Sequence, residues 1–221
     1  VAGRATVNGG LMIDLSQMRG VLVDPGVRVA RVEGGATWRE FNREAQLSGL
    51  ATTGGVVGST GVAGLTLGGG LGWLTARHGM ALDNLISVDV VLADGRVMRA
   101  SEEENRDLFW AVRGGGGNFG VAATFTFRLH PIGPMITGGR IAWPFARARD
   151  VLHLFRDLSA SLPDEMMLVC VLATAPDGVT KLAAIGASHC GHLPDGEAAM
   201  RPLKTFGTPL MDMLGPIPYV E

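Results

Sequence analysis

The hydrophobic and polar positions of this chain change rhythm several times, and each change marks an element. Residues 11–15, Leu-Met-Ile-Asp-Leu, are largely apolar and predict a short buried strand. Two β-branched arms then flank Pro25-Gly26, a hairpin signal, and the second arm alternates through residue 33. From there the spacing shifts to three and four. Trp38, Phe41 and Ala45 share one helical face behind Thr37 and Glu40, which have the spacing of a capping box, and Gly49 ends the helix. Residues 86–92 predict a buried strand, Ala93-Asp-Gly-Arg96 a turn, and Val97-Met98 the return strand. Ser101 and Glu104 repeat the capping-box spacing before a helix carrying Leu108, Phe109, Ala111 and Val112, which stops at Arg113-Gly114. Residues 121–129 alternate as a strand that His130-Pro131 closes.

Beyond Pro134 the pattern gives a strand at 138–143, an amphipathic helix at 147–158 and a strand at 166–174. A turn at Pro176-Asp-Gly178, a strand at 182–188 and a helix at 197–205 follow. That β-α-β-β-α order predicts an antiparallel sheet with helices on one face. The expected class is therefore α+β, in two domains, 1–133 and 134–221.

One segment fits neither rhythm. Nine of the nineteen residues from 54 to 72 are glycine, in the run GGVVGSTGVAGLTLGGGLG. Each glycine costs roughly 0.5–1 kcal/mol in a regular element relative to alanine. Flexible linkers carry such composition but are polar, whereas Val56, Val57, Val62, Leu65, Leu67 and Leu71 interleave here, as expected of a buried backbone. Glycine lets main chain approach an object closely, and backbone N–H groups in such loops suit phosphates. A large, flat, phosphate-bearing cofactor is the expected object. A second cluster, Arg113-Gly-Gly-Gly-Gly-Asn-Phe-Gly120, contains G-x-G-x-x-G, but it follows a helix and opens a strand. The dinucleotide fingerprint needs the opposite order, which argues against a Rossmann site.

Composition narrows the classes. Hydrophobic residues make up 47% of the 221 and charged residues 18%, which describes a core-forming protein. A net charge of -2 gives no electrostatic reason to expect nucleic acid. Lysine occurs only at Lys181 and Lys204, and no P-loop pattern is present. No apolar run reaches the ~18 residues of a membrane span, and no signal peptide is visible, so a cytoplasmic protein without membrane partners is expected. Both ends look cut, since the chain opens at Val1 and ends without a closing element, so a fragment is expected. His189-Cys190-Gly-His192 lacks a second ligand pair and predicts a polar strand end, with no metal. Trp73 and Trp110 are expected to pack, and His78 to be a surface or packing residue. Asp83 and Asn84 have two readings, a polar pair in the site or caps of the turn into the next strand.

Five motifs occur in order: Gly10-Leu-Met-Ile-Asp-Leu-Ser16, the glycine run, Gly79-Met-Ala-Leu-Asp-Asn84, Val91-Leu-Ala-Asp-Gly95, and Leu108-Phe-Trp-Ala-Val-Arg-Gly-Gly-Gly-Gly-Asn-Phe-Gly120. The series resembles the FAD-linked oxidoreductases of the berberine bridge enzyme and 6-hydroxynicotine oxidase type, over roughly residues 3–131 and more weakly beyond. The resemblance implies the FAD-binding fold of the p-cresol methylhydroxylase type, incomplete at its N-terminus, followed by part of a substrate domain. It implies FAD as cofactor, with the glycine run along flavin and pyrophosphate through Val57, Gly58, Ser59, Thr60, Gly61, Gly64, Gly68, Gly69 and Gly70. Asn118, Gly120 and Val121 would lie towards the ribityl-to-adenine part. Many members of that family bind their flavin through a histidine and a cysteine. The cysteine's position corresponds to Val57, which has no nucleophile, and the histidine's loop would precede residue 1. The implied activity is hydride transfer from a small organic alcohol, amine or sugar to flavin, with oxygen or another acceptor reoxidising it. A truncated or non-catalytic flavin-fold module is the alternative. No catalytic residue is carried over, because the positions that would match are not in this sequence.

Overall fold

In a computed structural model, residues 6–220 are described, and they divide into two compact units, one ending at Pro131 and one spanning Ile132 to Tyr219. Each unit has its own hydrophobic core.

The first unit opens with a hairpin of β1 (Val21–Asp24) and β2 (Val29–Glu33), whose register pairs Val21 with Val32 and Asp24 with Val29. Arg28 sits in the turn with a φ of 55°. Helix α1 (Trp38–Gln46) starts as the sequence predicts: Glu40 N–H donates to Thr37 Oγ1 while Thr37 N–H donates to the Glu40 carboxylate, and Trp38, Phe41 and Ala45 are buried. Those two hydrogen bonds satisfy N–H groups that every helix start otherwise leaves open. The Thr37 donors hold the Glu40 carboxyl below its usual range. A two-residue strand β3 (Leu50–Ala51) leads into the glycine run, which contains the short helix α2 (Val62–Leu67) and is followed by the short helix α3 (Thr75–His78). A 3₁₀ turn at Ala81–Asn84 follows, then β4 (Leu85–Val91), β5 (Val97–Ser101), α4 (Arg106–Gly115), β6 (Val121–Arg128) and β7 (His130–Pro131).

These strands form an antiparallel sheet in the order β1-β2-β6-β4-β5, with β3 and β7 as a separate pair. Phe125 and Phe127 on β6 project into the core, where Trp38, Phe41 and Phe127 meet edge to face with centroids 5.3–5.9 Å apart. Removing such a ring from a closed core costs about 3–5 kcal/mol.

Three expectations are corrected here. Residues 11–15 are neither strand nor buried. No ladder partner adjoins them among the described residues, and Leu11 is 87% exposed. Ser101 does not cap α4. It ends β5 and accepts from Glu103 and Glu104 N–H in a turn, and Asn105, at φ 49°, takes the cap position. His130-Pro131 does not merely close β6, because it pairs with Leu50–Ala51.

The second unit comprises β8 (Met135–Pro144), α5 (Ala148–Ser159), β9 (Met166–Thr174), β10 (Lys181–His189), α6 (Leu193–Lys204), β11 (Met211–Asp212) and β12 (Gly215–Pro218). Its antiparallel sheet runs β11-β8-β10-β9, with β12 also on β8. Val151 from α5 and Met200 and Leu203 from α6 close over Ile141, Trp143, Ala183 and Ile185 in one core. The paired helices and sheet are those the sequence predicts; β11 and β12 are additional, too short to show a period of two.

Candidate functional site

The glycine run is clamped at its base and open at its tip. At the base, glycine is required by the chain itself. A Cβ on Gly54 would collide with the Trp38 indole, and one on Gly72 would fall on the carbonyl oxygen of Gly54, so two stretches of main chain touch there. Gly69 and Gly70 have φ of 121° and 88°, a region side chains disfavour. Gly70 is also hemmed in by Leu65 and Ala81, while the Cβ direction of Gly69 meets Met80 Sδ at 3.5 Å. Gly68, the C-cap of α2, is exposed.

The tip is held from behind by the start of α1. Trp38 and Arg39 N–H donate to the carbonyls of Thr60 and Gly58 at 3.0 and 2.8 Å, and Val62 N–H returns to Ala36 at 2.9 Å. These bonds consume carbonyls and leave N–H groups. Among the described residues, the N–H groups of Gly58, Ser59 and Gly61 have no protein acceptor. Nothing lies within 4 Å of a Cβ built on Gly61 or Gly64. Val56, Val57 and Leu71 are exposed rather than buried, Val57 to 56%, while Val62 and Leu67 enter the core. The expectation of a wholly buried segment is thus corrected: its apolar side chains divide between the protein's core and an uncovered surface.

The second glycine cluster adjoins the first. Helix α2 packs against α4 and against the 3₁₀ turn Gly116–Phe119. Helix α4 breaks at Arg113 and Gly114, the latter at φ 110°, and Asn118 Nδ2 donates to Gly115 O at 2.7 Å to hold the turn. Gly114, Gly116 and Gly117 face open space, whereas a Cβ on Gly120, at φ 146°, would collide with Val91 O and the Val90 side chain. Val121 begins β6 beside Val91. So the structure brings α2, which carries Gly64, against the end of α4 and the turn that carry Gly114 to Asn118, while Val57 to Gly61 lead into α2 from the side of α1. It sets Gly69, Gly70 and Gly120 against the chain's own atoms. Of the glycines in the two clusters that face open space, Gly114, Gly116 and Gly117 were outside the expected set, although the four-glycine run displayed them.

The remaining candidates have other roles. Asp83 Oδ2 accepts from Met80 N–H, and Asn84 Nδ2 donates to the carbonyls of His78 and Met80, both at 2.9 Å. These are turn-capping bonds. His78 is a packing residue, stacked on His130 with centroids 3.8 Å apart. His130 Nε2 lies 2.7 Å from Asn84 Oδ1. Burial lowers the His78 pKa, and burial together with His78, Arg128 and Arg77 lowers that of His130 to about 4. Trp110 does not pack: it is 79% exposed on the outer face of α4. No three His, Cys, Asp or Glu side chains among the described residues converge as a metal site. No helix among them is long and apolar enough to cross a membrane.

A family model described as an FAD binding domain matches residues 1–101. An FAD-linked oxidoreductase of Dictyostelium discoideum is 33% identical over 99% of this chain and 47% of its own length. The crystal structure of 6-hydroxy-D-nicotine oxidase from Arthrobacter nicotinovorans superposes with a TM-score of 0.91 at 30% identity, over 99% of this chain and 48% of that one. Xylooligosaccharide oxidase from Myceliophthora thermophila C1 superposes with a TM-score of 0.77 at 30% identity, over 94% of this chain and 44% of that one. The chain thus spans about half the length of the curated relatives it matches.

Proposed function

This chain belongs to the FAD-linked oxidoreductases, and we propose that its two glycine clusters hold FAD in a protein that transfers hydride from a small organic alcohol, amine or sugar to the flavin. The observation that carries this reading is the open rim of glycines. Gly61 and Gly64 on one cluster, and Gly116 and Gly117 on the other, leave room where any side chain would intrude, and unpaired N–H groups border it. A phosphate-bearing, extended ligand fits both features, because main-chain donors serve anionic oxygens and glycine admits close approach.

In this reading the N–H groups of Gly58, Ser59 and Gly61 donate to pyrophosphate oxygens, with the Ser59 and Thr60 hydroxyls beside them. Val56, Val57 and Leu71, uncovered in the chain alone, lie against an apolar ring and exclude water from it. Asn118 keeps the second cluster in shape through Gly115 O and contributes main chain rather than side chain. FAD, when bound, supplies a two-electron acceptor, and the protein supplies position and electrostatics. Val57 presents no nucleophile, so the loop holds the cofactor without a cysteinyl bond.

Titrating the cofactor-free chain with FAD while following flavin fluorescence tests this. Saturable quenching by the chain, lost in Gly64→Leu at unchanged fold, is the expected result. Quenching that survives Gly64→Leu and Gly117→Leu alike would place the ligand elsewhere. A substrate-dependent loss of the flavin's visible absorbance separates an oxidoreductase from a module that binds FAD without turnover.

A further inference from the structure

The glycine run leaves the core at β3 and returns at α3, and one residue touches both ends. His130 pairs in the β3–β7 ladder opposite Ala51, immediately before the run. Its imidazole stacks on His78 at the run's far end, with planes 15° apart. Its Nε2 meets Asn84 Oδ1, and the same amide binds the His78 and Met80 carbonyls. Those two carbonyls fix the orientation of the Asn84 amide: both its N–H donors are engaged, so Oδ1 accepts and His130 donates from Nε2. The neutral imidazole then has its proton on Nε2, and Nδ1, without a protein partner among the described residues, is the atom where a second proton arrives.

We propose that His130, with Asn84 and His78, is a latch across the base of the glycine run that releases when His130 takes up a proton. The surroundings oppose a charge there. Arg77 on α3 and Arg128 at the end of β6 are the charged groups that act on the pair, both cationic. Asp83, on the same 3₁₀ turn as Asn84, directs its carboxylate to the Met80 N–H. His78 offers no compensation, since its own buried Nε2 has no hydrogen-bond partner. β3 contributes only Leu50 and Ala51, which carry no charge. A positive charge on the stacked ring is therefore relieved by moving His130 out of the stack into water, which parts it from His78 and Asn84 and loosens the β3–β7 pairing it belongs to.

The sign follows from linkage. The folded pKa of His130 lies near 4, below the ordinary 6.5, so the opened segment binds the proton more readily and opening grows as pH falls from about 6.5 towards 4. Those two values bound the gain at pH 5 at about thirtyfold, and solvent screening of a half-buried ring brings it to the order of tenfold.

For cofactor retention the latch rests on the reading that the run holds FAD, but it is tested without FAD. Amide hydrogen exchange of residues 52–79 is measured in the cofactor-free chain from pH 7.5 to 5, corrected for intrinsic rates and referenced to β6. The expected result is opening that begins to rise near pH 6.5 and is on the order of tenfold greater at pH 5, while His130 in the closed chain titrates by NMR well below its ordinary value. His130→Gln, which keeps a donor for Asn84 but does not titrate, should sharply reduce the pH response and leave only the part that His78, itself lowered by burial, contributes. A pH-independent loop in the unaltered chain, a His130 that titrates at its ordinary value in the closed chain, or an unchanged pH response in His130→Gln would each overturn the latch. FAD binding that fails while the exchange response persists would sink the cofactor reading alone.

Discussion

The base and the tip of the glycine run use the same residue type for opposite purposes. At the base, Gly54 and Gly72 are glycine because main chain and the Trp38 indole occupy the space a side chain needs. At the tip, Gly61 and Gly64 have nothing beside them, and Gly116 and Gly117 across from them likewise. The first kind is a packing requirement of the fold. Within the second kind, Gly116 is also called for by its φ of 69°, whereas Gly61, Gly64 and Gly117 have neither a positive φ nor a crowding neighbour, and these three point to a ligand. A count of glycines cannot separate the two; the contacts of an added Cβ can.

The widest separation between the two kinds comes from single substitutions read by two measurements. Gly72→Ala puts a methyl on the Gly54 carbonyl, and a collision with main chain has no soft partner to yield. It should lower stability by about 3 kcal/mol or more in urea unfolding. Gly64→Ala sits in α2 with open space beyond it, and alanine there gains helix propensity of about 0.5–1 kcal/mol. The chain should become slightly more stable. Gly64→Leu should fold as well yet bind FAD at least about tenfold more weakly, a difference of about 1.4 kcal/mol. If Gly72→Ala proved harmless, or Gly64→Leu bound normally, the division between base and tip would collapse.

A smaller effect tests how the tip is held. The Trp38 and Arg39 N–H groups reach Thr60 and Gly58 only because α1 begins where it does, and the Thr37–Glu40 box fixes that beginning. Thr37→Ala should cost about 1 kcal/mol of stability. Exchange at residues 57–61 should rise with it, while the base at Gly54 and Gly72 stays protected. Uniform loosening of both would show that the clamp and the tip are one unit.

Legibility in the sequence followed the same line. The α1 box was legible because its two bonds are local, three residues apart. The sheet strands were legible because burial on one face enforces alternation. Ser101 and Glu104 have the same spacing as Thr37 and Glu40 but cap a turn, since β5 continues to Ser101 and holds its backbone extended. Residues 11–15 have the apolar content of a strand, but a strand also needs a partner, and composition cannot supply one. The glycine clusters announced a ligand, and the ordered motifs its class. Which glycines face it depends on atoms brought from α1, β4 and the 3₁₀ turn after α3, far away in sequence. His130 was invisible as a tie for the loop because its partners His78 and Asn84 lie about fifty residues earlier.

The smallest expected effect sits at Val57. Its side chain is more than half exposed and touches little, so Val57→Ala should change stability by less than about 0.5 kcal/mol. The same exposure makes it informative about the ligand. If the tip covers a flavin ring, removing two methyls from that face weakens FAD binding without touching the fold, by no more than about 1.5 kcal/mol at ~0.8 kcal/mol per buried carbon. Acid precipitation of the FAD-loaded chain should leave a colourless pellet and a yellow supernatant, since valine forms no bond to the cofactor. A yellow pellet would mean that another side chain reaches the flavin covalently, and that the tip is less open than its glycines make it.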